Sequence, residues 1–290
     1  MKQRAAWASF FLLLPLIYLK AQEDGKVSAV PDAREIIRQS VAKDDDNDKI
    51  ARNYTYQKHV DRTISGKHEV LTYDELPLYG EIYEKLVSRD DKPLSEKEAK
   101  KEEEKIDKFS RKFENESAEE REKRLKKQEE GHERDREFLE KIPNAYDFRI
   151  VGSDVVNGQE VWVIDCTPRA DFAPKTKEEH FLPKIKGRVY IDKKEMTWVK
   201  VEAELIDNIS FGLFLANLKK GATMEFDAKK INDEVWLPVE YKVDANARLL
   251  WAHKTFEETG VFSNYRKYTA EAKIVGEAKE VAPPAAEESK

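Results

Sequence analysis

Residues 146–268 limit the fold more than any other stretch, because they read as strand after strand joined by short turns. YDFRIVGSDVV, then Asn157-Gly158, then QEVWVIDCTPR has the form of a hairpin. Both turn residues tolerate the positive φ that a tight turn demands. GRVYIDKKEMTWVKVEAELI predicts a second pair around Asp192-Lys193-Lys194-Glu195. Its returning strand alternates Val199, Val201, Ala203 and Leu205 with Trp198, Lys200, Glu202 and Glu204, one face dry and one wet. In a third pair, Met224, Phe226 and Ala228 alternate with Glu225, Asp227 and Lys229. After Asn232-Asp233, Leu237, Val239, Tyr241 and Val243 alternate with Pro238, Glu240, Lys242 and Asp244. RLLWAHKTFE reads as a further strand, pairing with the previous one around Asn246. Parallel units need crossover helices that the stretch lacks, so an antiparallel meander is expected. Ile206 to Asn217 is unusually apolar for a link between strands.

Upstream, Asp32 with Glu35 predicts a capping box that opens a short helix striped by Ala33, Ile36, Ile37 and Val41. The helix is expected to lie across the sheet and to stop before Asp44-Asp45-Asp46-Asn47-Asp48. That acidic run lacks a calcium loop's glycine, Lys49 standing at the turn and Thr55 where the bidentate glutamate belongs, so it reads as a solvated linker. Asn53 to Ile64 and Glu69 to Glu75 predict a hairpin about Ser65-Gly66, and Gly80 to Val87 the next strand. Residues 94–142 are then dense in charged helix formers. Ser95 with Glu98 and Ser117 with Glu120 match capping boxes of two helices. Ile106, Phe109 and Phe113 stripe the first helix; Leu125, Phe138, Leu139 and Ile142 stripe the second, too sparsely for a sustained coiled coil. This charged helical insertion is expected to leave and re-enter the sheet at neighbouring strands that a short turn could rejoin. It is also a candidate contact surface for a protein partner.

The N-terminus bears on compartment. Lys2 and Arg4 precede the apolar run from Ala5 to Leu19, which ends at Ala21, the pattern of a secretory signal peptide. Pro15 interrupts the run, and a membrane span needs about 20 apolar residues. Residues 1–21 are therefore expected to be removed after Ala21, giving a periplasmic or secreted protein. The β domain follows over 22–272, and 273–290 form a small, polar tail unable to support a core. Cys166 is the single cysteine, so an internal disulfide is impossible, and it reads as a small buried hydrophobe. A net charge of -6 gives no reason to expect a nucleic-acid partner. No nucleophile elbow, zinc motif or phosphate loop appears, so the chain is expected to be non-enzymatic, with no cofactor and no metal. Three N-x-[ST] matches, at Asn53, Asn115 and Asn208, read as chance.

The exported start, the helix PDAREIIRQSVA, VNGQEVWVIDCTPR, GRVYIDKKEMTWVKVEAEL, INDEVWLPVEYKV and FSNYRKY follow a recognisable order. Over about Asp32 to Tyr268, the charged insertion apart, this pattern resembles the LolA/LolB-like fold of periplasmic lipoprotein-sorting proteins, which includes the sensor regulator RseB. The resemblance implies an α+β protein whose curved antiparallel sheet forms an incomplete barrel closed at its mouth by helices. It also implies that a concave apolar face receives lipid or lipoprotein acyl chains. Strict alternation then assigns Val199, Val201, Leu205, Met224, Phe226, Leu237, Val239 and Tyr241 to that face, with Phe211 and Phe214 near its mouth. The alternative within the same resemblance is a non-enzymatic protein-interaction or envelope-sensing module.

Overall fold

In the computed structural model, residues 31–211 and 216–267 are described. The expected signal peptide and C-terminal tail lie outside the described residues. The alternating segments pair into one thirteen-stranded antiparallel sheet that curls without closing. Its strands are β1 (Tyr54–Ile64), β2 (Lys67–Leu78), β3 (Glu81–Arg89), β4 (Lys92–Pro93), β5 (Tyr146–Val156), β6 (Gln159–Pro168) and β7 (Ile185–Asp192). β8 (Trp198–Leu205), β9 (Ile209–Phe211), β10 (Ala216–Leu218), β11 (Thr223–Ile231), β12 (Val235–Leu249) and β13 (Ala252–Lys267) complete it. The turns are made by the residues that can make them. Ser65-Gly66, Tyr79-Gly80, Asp90-Asp91 and Asn157-Gly158 all carry positive φ at both positions.

The order β4-β3-β2-β1-β13-β12-β11-β8-β7-β6-β5 departs from a plain meander. β1 pairs with β13, so the first hairpins are stitched to the last strand rather than to the next one. β12 also runs on to Leu249, and Asn246 faces Thr255 in mid-ladder instead of turning the chain. In the apolar link after β8, β9 pairs with β10, which pairs in turn with the end of β12.

Helix α1 (Ala33–Ala51) is longer than the sequence suggested, because the acidic run is helical. Its aspartates find cations one turn on: Asp45 holds Lys49 at 2.6 Å and Asp48 holds Arg52. Asp32 caps the helix through the Arg34 N–H at 3.0 Å, while Glu35 turns to Arg38 and Gln39 rather than closing a box. The buried stripe Ile36, Ile37 and Val41 lies against Ile164, Val189 and Ile191 of the sheet. Cys166 belongs to this core, as expected, and burial pushes its thiol pKa up to about 12. The C-terminal half of α1 seals an edge. Where β12 has no β13 partner, the Trp236 N–H donates to Asn47 Oδ1 (2.7 Å), and Asn47 Nδ2 donates to the Trp236 carbonyl (2.9 Å).

The charged segment forms α2 (Glu96–Glu114), α3 (Ala118–Leu139) and the single turn α4 (Ile142–Ala145). Both expected capping boxes close, at Ser95 with Glu98 and at Ser117 with Glu120. Its points of departure and return are not neighbours, however: β4 and β5 are the two opposite edges of the sheet. Nine strand pairings separate β3 from β5 in the sheet, so the segment does not link neighbouring strands. The segment is a strap fastened at both ends. At the end of α2, Phe113 stacks on Tyr79 at 4.8 Å and Phe109 lies 4.9 Å from Tyr83. Near the end of the strap, Phe138, Leu139 and Ile142 pack on the α1 core, and Arg34 donates to the Tyr146 carbonyl at 3.2 Å.

Asn47→Ala leaves both Trp236 main-chain groups without their partner. It is expected to cost about 2–3 kcal/mol, the sum of two lost bonds and partly buried unsatisfied groups. Urea unfolding should show a lower midpoint at an unchanged slope. Asn47→Asp, which keeps the acceptor, should fall between the two. An unchanged midpoint for Asn47→Ala would mean that water already serves this edge.

Candidate binding site on the inner face of the sheet

Residues directly opposite one another in a ladder share a face, so the register traces a row across the sheet. One row runs Ile150, Ile164, Val189, Val201, Phe226, Tyr241, Gly260, Val60 and Leu71, from β5 to β2. The next runs Phe148, Cys166, Gly187, Ala203, Met224, Val243, Glu258, Arg62 and Glu69. The opposite face carries Arg149, Asp165, Arg188, Glu202, Glu225, Lys242, Thr259 and Asp61, a wet and charged surface. Curvature identifies the inside. The carboxylates of Glu84 on β3 and Glu75 on β2 act on the Tyr241 phenol of β12, although β13, β1 and β2 stand between β12 and β3. The apolar rows therefore face inward.

Helix α1 crosses the sheet from β5, β6 and β7, where Ile164 and Ile191 are fully buried, to β12, where its last turns reach Trp236. Across β8 to β1 Val201, Phe226, Tyr241, Phe262 and Tyr56 are half-buried, beside the buried Val60. Tyr56 meets Phe262 edge-on at 5.4 Å and Tyr265 at 5.9 Å, and Tyr241 lies 5.8 Å from Phe262. The Tyr241 ring covers Gly260; a Cβ there would stand 2.0 Å from its Cε1, so only glycine fits beneath it.

This patch ends in charge. The Lys58 ammonium sits 2.7 Å from Glu75, its side chain 14% and the carboxylate's 9% exposed, and it also holds Glu84. Burial opposes the Lys58 charge, but the two carboxylates outweigh it and raise its pKa. Burial likewise raises Glu75, against the pull of Lys58. Arg62 bridges Glu69 at 2.7 Å on the same face. Burial pushes Tyr56 up to about 12, with Glu75 adding to it, and Tyr241 and Tyr265 well above the usual phenol range.

The residues assigned by strict alternation divide. Val201, Phe226 and Tyr241 share one row, and Met224, 45% exposed, lies in the next. Leu205 faces Ile185 and is buried at the strand end. Two bulges break the alternation for the others. Val199 is the extra residue opposite Tyr190 and Ile191, and it packs with Val161, Ala228 and Trp236 in a separate core. Val239 is the extra residue opposite Asp227 and Ala228. Beyond that bulge Leu237 is buried with Tyr54 and Val235 beneath the end of α1. Phe211 pairs through its backbone with Ala216, its side chain lying outside the described residues, as does Phe214 altogether. Tyr56, Phe262, Gly260 and the Lys58–Glu75 pair were not anticipated. The shared parity of Tyr54, Tyr56, Val60 and Ile64 was the available signal for the first.

Two hollows lie away from this patch. A groove of about 1000 Å³ runs along α3 between Arg52, Gly80, Leu125, Gln128 and His132. A polar hollow of about 450 Å³ lies by Asp61, Glu225, Lys242 and Glu257 of the outer face. Among the described residues no cluster of His, Cys, Asp and Glu could hold a metal ion, and no helix is long and apolar enough to cross a membrane.

These features define a class: an open, curled antiparallel half-barrel with one helix laid on its inner face. No family model matches the chain, and no curated protein matches it. Among solved structures it is similar to a DUF1329 family protein from Desulfovibrio piger, at 10% identity over 83% of this chain and 95% of that one, with a TM-score of 0.32. It is also similar to a LolA superfamily protein from Nitrosomonas europaea, at 8% identity over 83% and 94%, TM-score 0.29. A third is the MucA/MucB complex of Pseudomonas aeruginosa, at 10% identity over 83% and 100%, TM-score 0.24.

Buried phenols give the inner face a readout. A free tyrosine ionises near pH 10, whereas Tyr56 stays protonated to about 12. Between those values the unfolded chain binds fewer protons than the native one, so stability falls as pH rises through this window. Native phenolate absorbance should show a late-titrating fraction of the eleven tyrosines that vanishes in denaturant. A single native transition near pH 10 would mean that the inner face is wet.

Proposed function

We propose that the protein is an exported, non-catalytic binding protein whose inner face receives an acyl chain of a lipid or lipoprotein, in the service of envelope lipoprotein sorting. The observation that carries this reading is the half-covered inner face. Val201 borders the α1 core, and beyond it the half-buried Phe226 and Tyr241 and the exposed Met224 form an aliphatic and aromatic trough on a sheet whose other face is charged. Each ligand methylene buried there contributes about 0.8 kcal/mol. The charged end at Lys58, Glu75 and Arg62 would keep a polar head group out of the apolar part and so orient the chain. The site residues of this reading are Val201, Met224, Phe226 and Tyr241, together with Tyr56 and Phe262 beside them; Val199, Leu205 and Leu237 support the walls.

A second reading, a protein-interaction or envelope-sensing module, is favoured by a different observation. The groove along α3 exposes Leu125 at 48% on a strap otherwise covered with charge, as a contact for a partner helix or peptide would.

Displacement of a fluorescent fatty-acyl probe separates them. The unmutated protein should bind the probe. Phe226→Ala should weaken it about tenfold, the equivalent of roughly two methylene contacts at 1.4 kcal/mol per decade. Leu237→Ala should instead cost about 2–5 kcal/mol of stability and leave probe affinity unchanged. No probe bound by the unmutated protein would remove the acyl reading and leave the interaction module.

A further inference from the structure

The hairpin tip between β12 and β13 breaks the rule that the other tight turns obey. Leu249 faces Ala252, so the turn consists of Leu250 and Trp251 alone. The other two-residue turns use Ser-Gly, Tyr-Gly, Asp-Asp and Asn-Gly, each with at least one Gly, Asn or Asp to take the positive φ. Here Leu250 itself is held at φ 56°, a conformation that costs a leucine strain. The strain is not offset by packing. Leu249 is 44% exposed, Leu250 49% and Trp251 85%. Single exposed apolar residues are ordinary, but three in succession on a strained turn of a highly charged protein are not.

The surroundings say what fits this tip. From Ala245 to Phe256 the chain carries Arg248, His253 and Lys254 and no acid, in a protein of net charge -6. Arg248 and His253 face each other one pair below the turn, with Lys254 next along the strand. The β10 turn adds Lys219 and the exposed Lys220, for the Lys219 N–H donates to the Asn246 carbonyl at 2.8 Å. A projecting apolar point ringed by cations matches the boundary of an anionic bilayer, where tryptophan settles at headgroup depth and each cation gains from the surface potential. A protein groove would give the ring of cations no such continuous counterpart.

We propose that the Leu249–Trp251 tip docks the protein onto an anionic lipid surface, with Leu250 and Trp251 entering the headgroup–acyl boundary and Arg248, Lys254 and Lys220 resting on lipid phosphates. This does not rest on the inner-face reading, and the two fail separately.

The test is co-sedimentation with vesicles of phosphatidylcholine alone and of phosphatidylcholine with a minority of phosphatidylglycerol. The Leu250→Asn/Trp251→Gly double variant installs a favourable turn, so it should fold at least as stably as the unmutated chain. The unmutated protein should bind the anionic vesicles more tightly than the neutral ones, and brominated lipid should quench its tryptophan fluorescence. The double variant should lose about tenfold or more in binding and lose the quenching, while its affinity for a fatty-acyl probe is the same as that of the unmutated chain. Lys254→Glu should lose at least about fivefold at low salt and much less at high salt. Equal binding by the double variant, no binding by the unmutated protein, or unquenched tryptophan would each overturn the proposal.

Discussion

An open sheet has two unpaired edges and one apolar inner face, and every other element of this chain answers to that constraint. Unpaired edges invite another chain, and an uncovered apolar face invites collapse or a ligand. Helix α1 handles both at once. Its stripe of Ile36, Ile37 and Val41 supplies the core of one half, and its Asn47 serves the free main-chain groups of Trp236. The strap α2–α4 joins the two outer strands, so the edges are covalently held relative to each other rather than left to splay. The stitching of β1 to β13 completes the arrangement by placing the aromatic strands side by side.

Because α1 covers only part of the inner face, the sheet carries two regimes on one surface. Over β5 to β7 the side chains are solidly packed, and their loss would be felt as stability. Over β8 to β1 Phe226, Tyr241, Phe262 and Tyr56 are half-buried, and Tyr241 over Gly260 holds the aromatic patch in place. The Lys58–Glu75 pair then marks where the apolar surface stops. A buried pair of this kind is weak evidence for stability, but it fixes the polarity of the trough. The groove along α3 and the Leu249–Trp251 tip sit on separate elements, so binding, partner contact and surface docking need not compete.

Much of this was written in the sequence in local terms. Asn157-Gly158 announced its turn, Ser95 and Ser117 announced their helices, and Val201, Phe226 and Tyr241 kept their parity because no bulge lies between them. What failed was long-range or depended on a single extra residue. The bulge at Val199 places that residue in a separate core and the bulge at Val239 shifts Leu237 into another, and alternation alone cannot register an inserted residue. Nothing local tells that β1 seeks β13, so the insertion looked like a link between neighbours instead of a strap between edges. The acidic run after Val41 reads as a solvated linker once a calcium loop is set aside; Lys49 and Arg52, one turn on from Asp45 and Asp48, hold it helical instead. Lys58 and Glu75 are seventeen residues apart in sequence, as any two unremarkable charges might be, and only the register brings them together.

The central claim is that the half-covered inner face is a binding surface and not an unfinished core. A fatty acid carrying a spin label on its chain, added to isotope-labelled protein, tests it most directly, since the label broadens the amide signals of residues beside it. The account predicts the strongest broadening at Val201, Phe226, Tyr241, Phe262 and their immediate strand neighbours, with α3 about Leu125 little affected. Broadening centred on α3, or none at all, would contradict it.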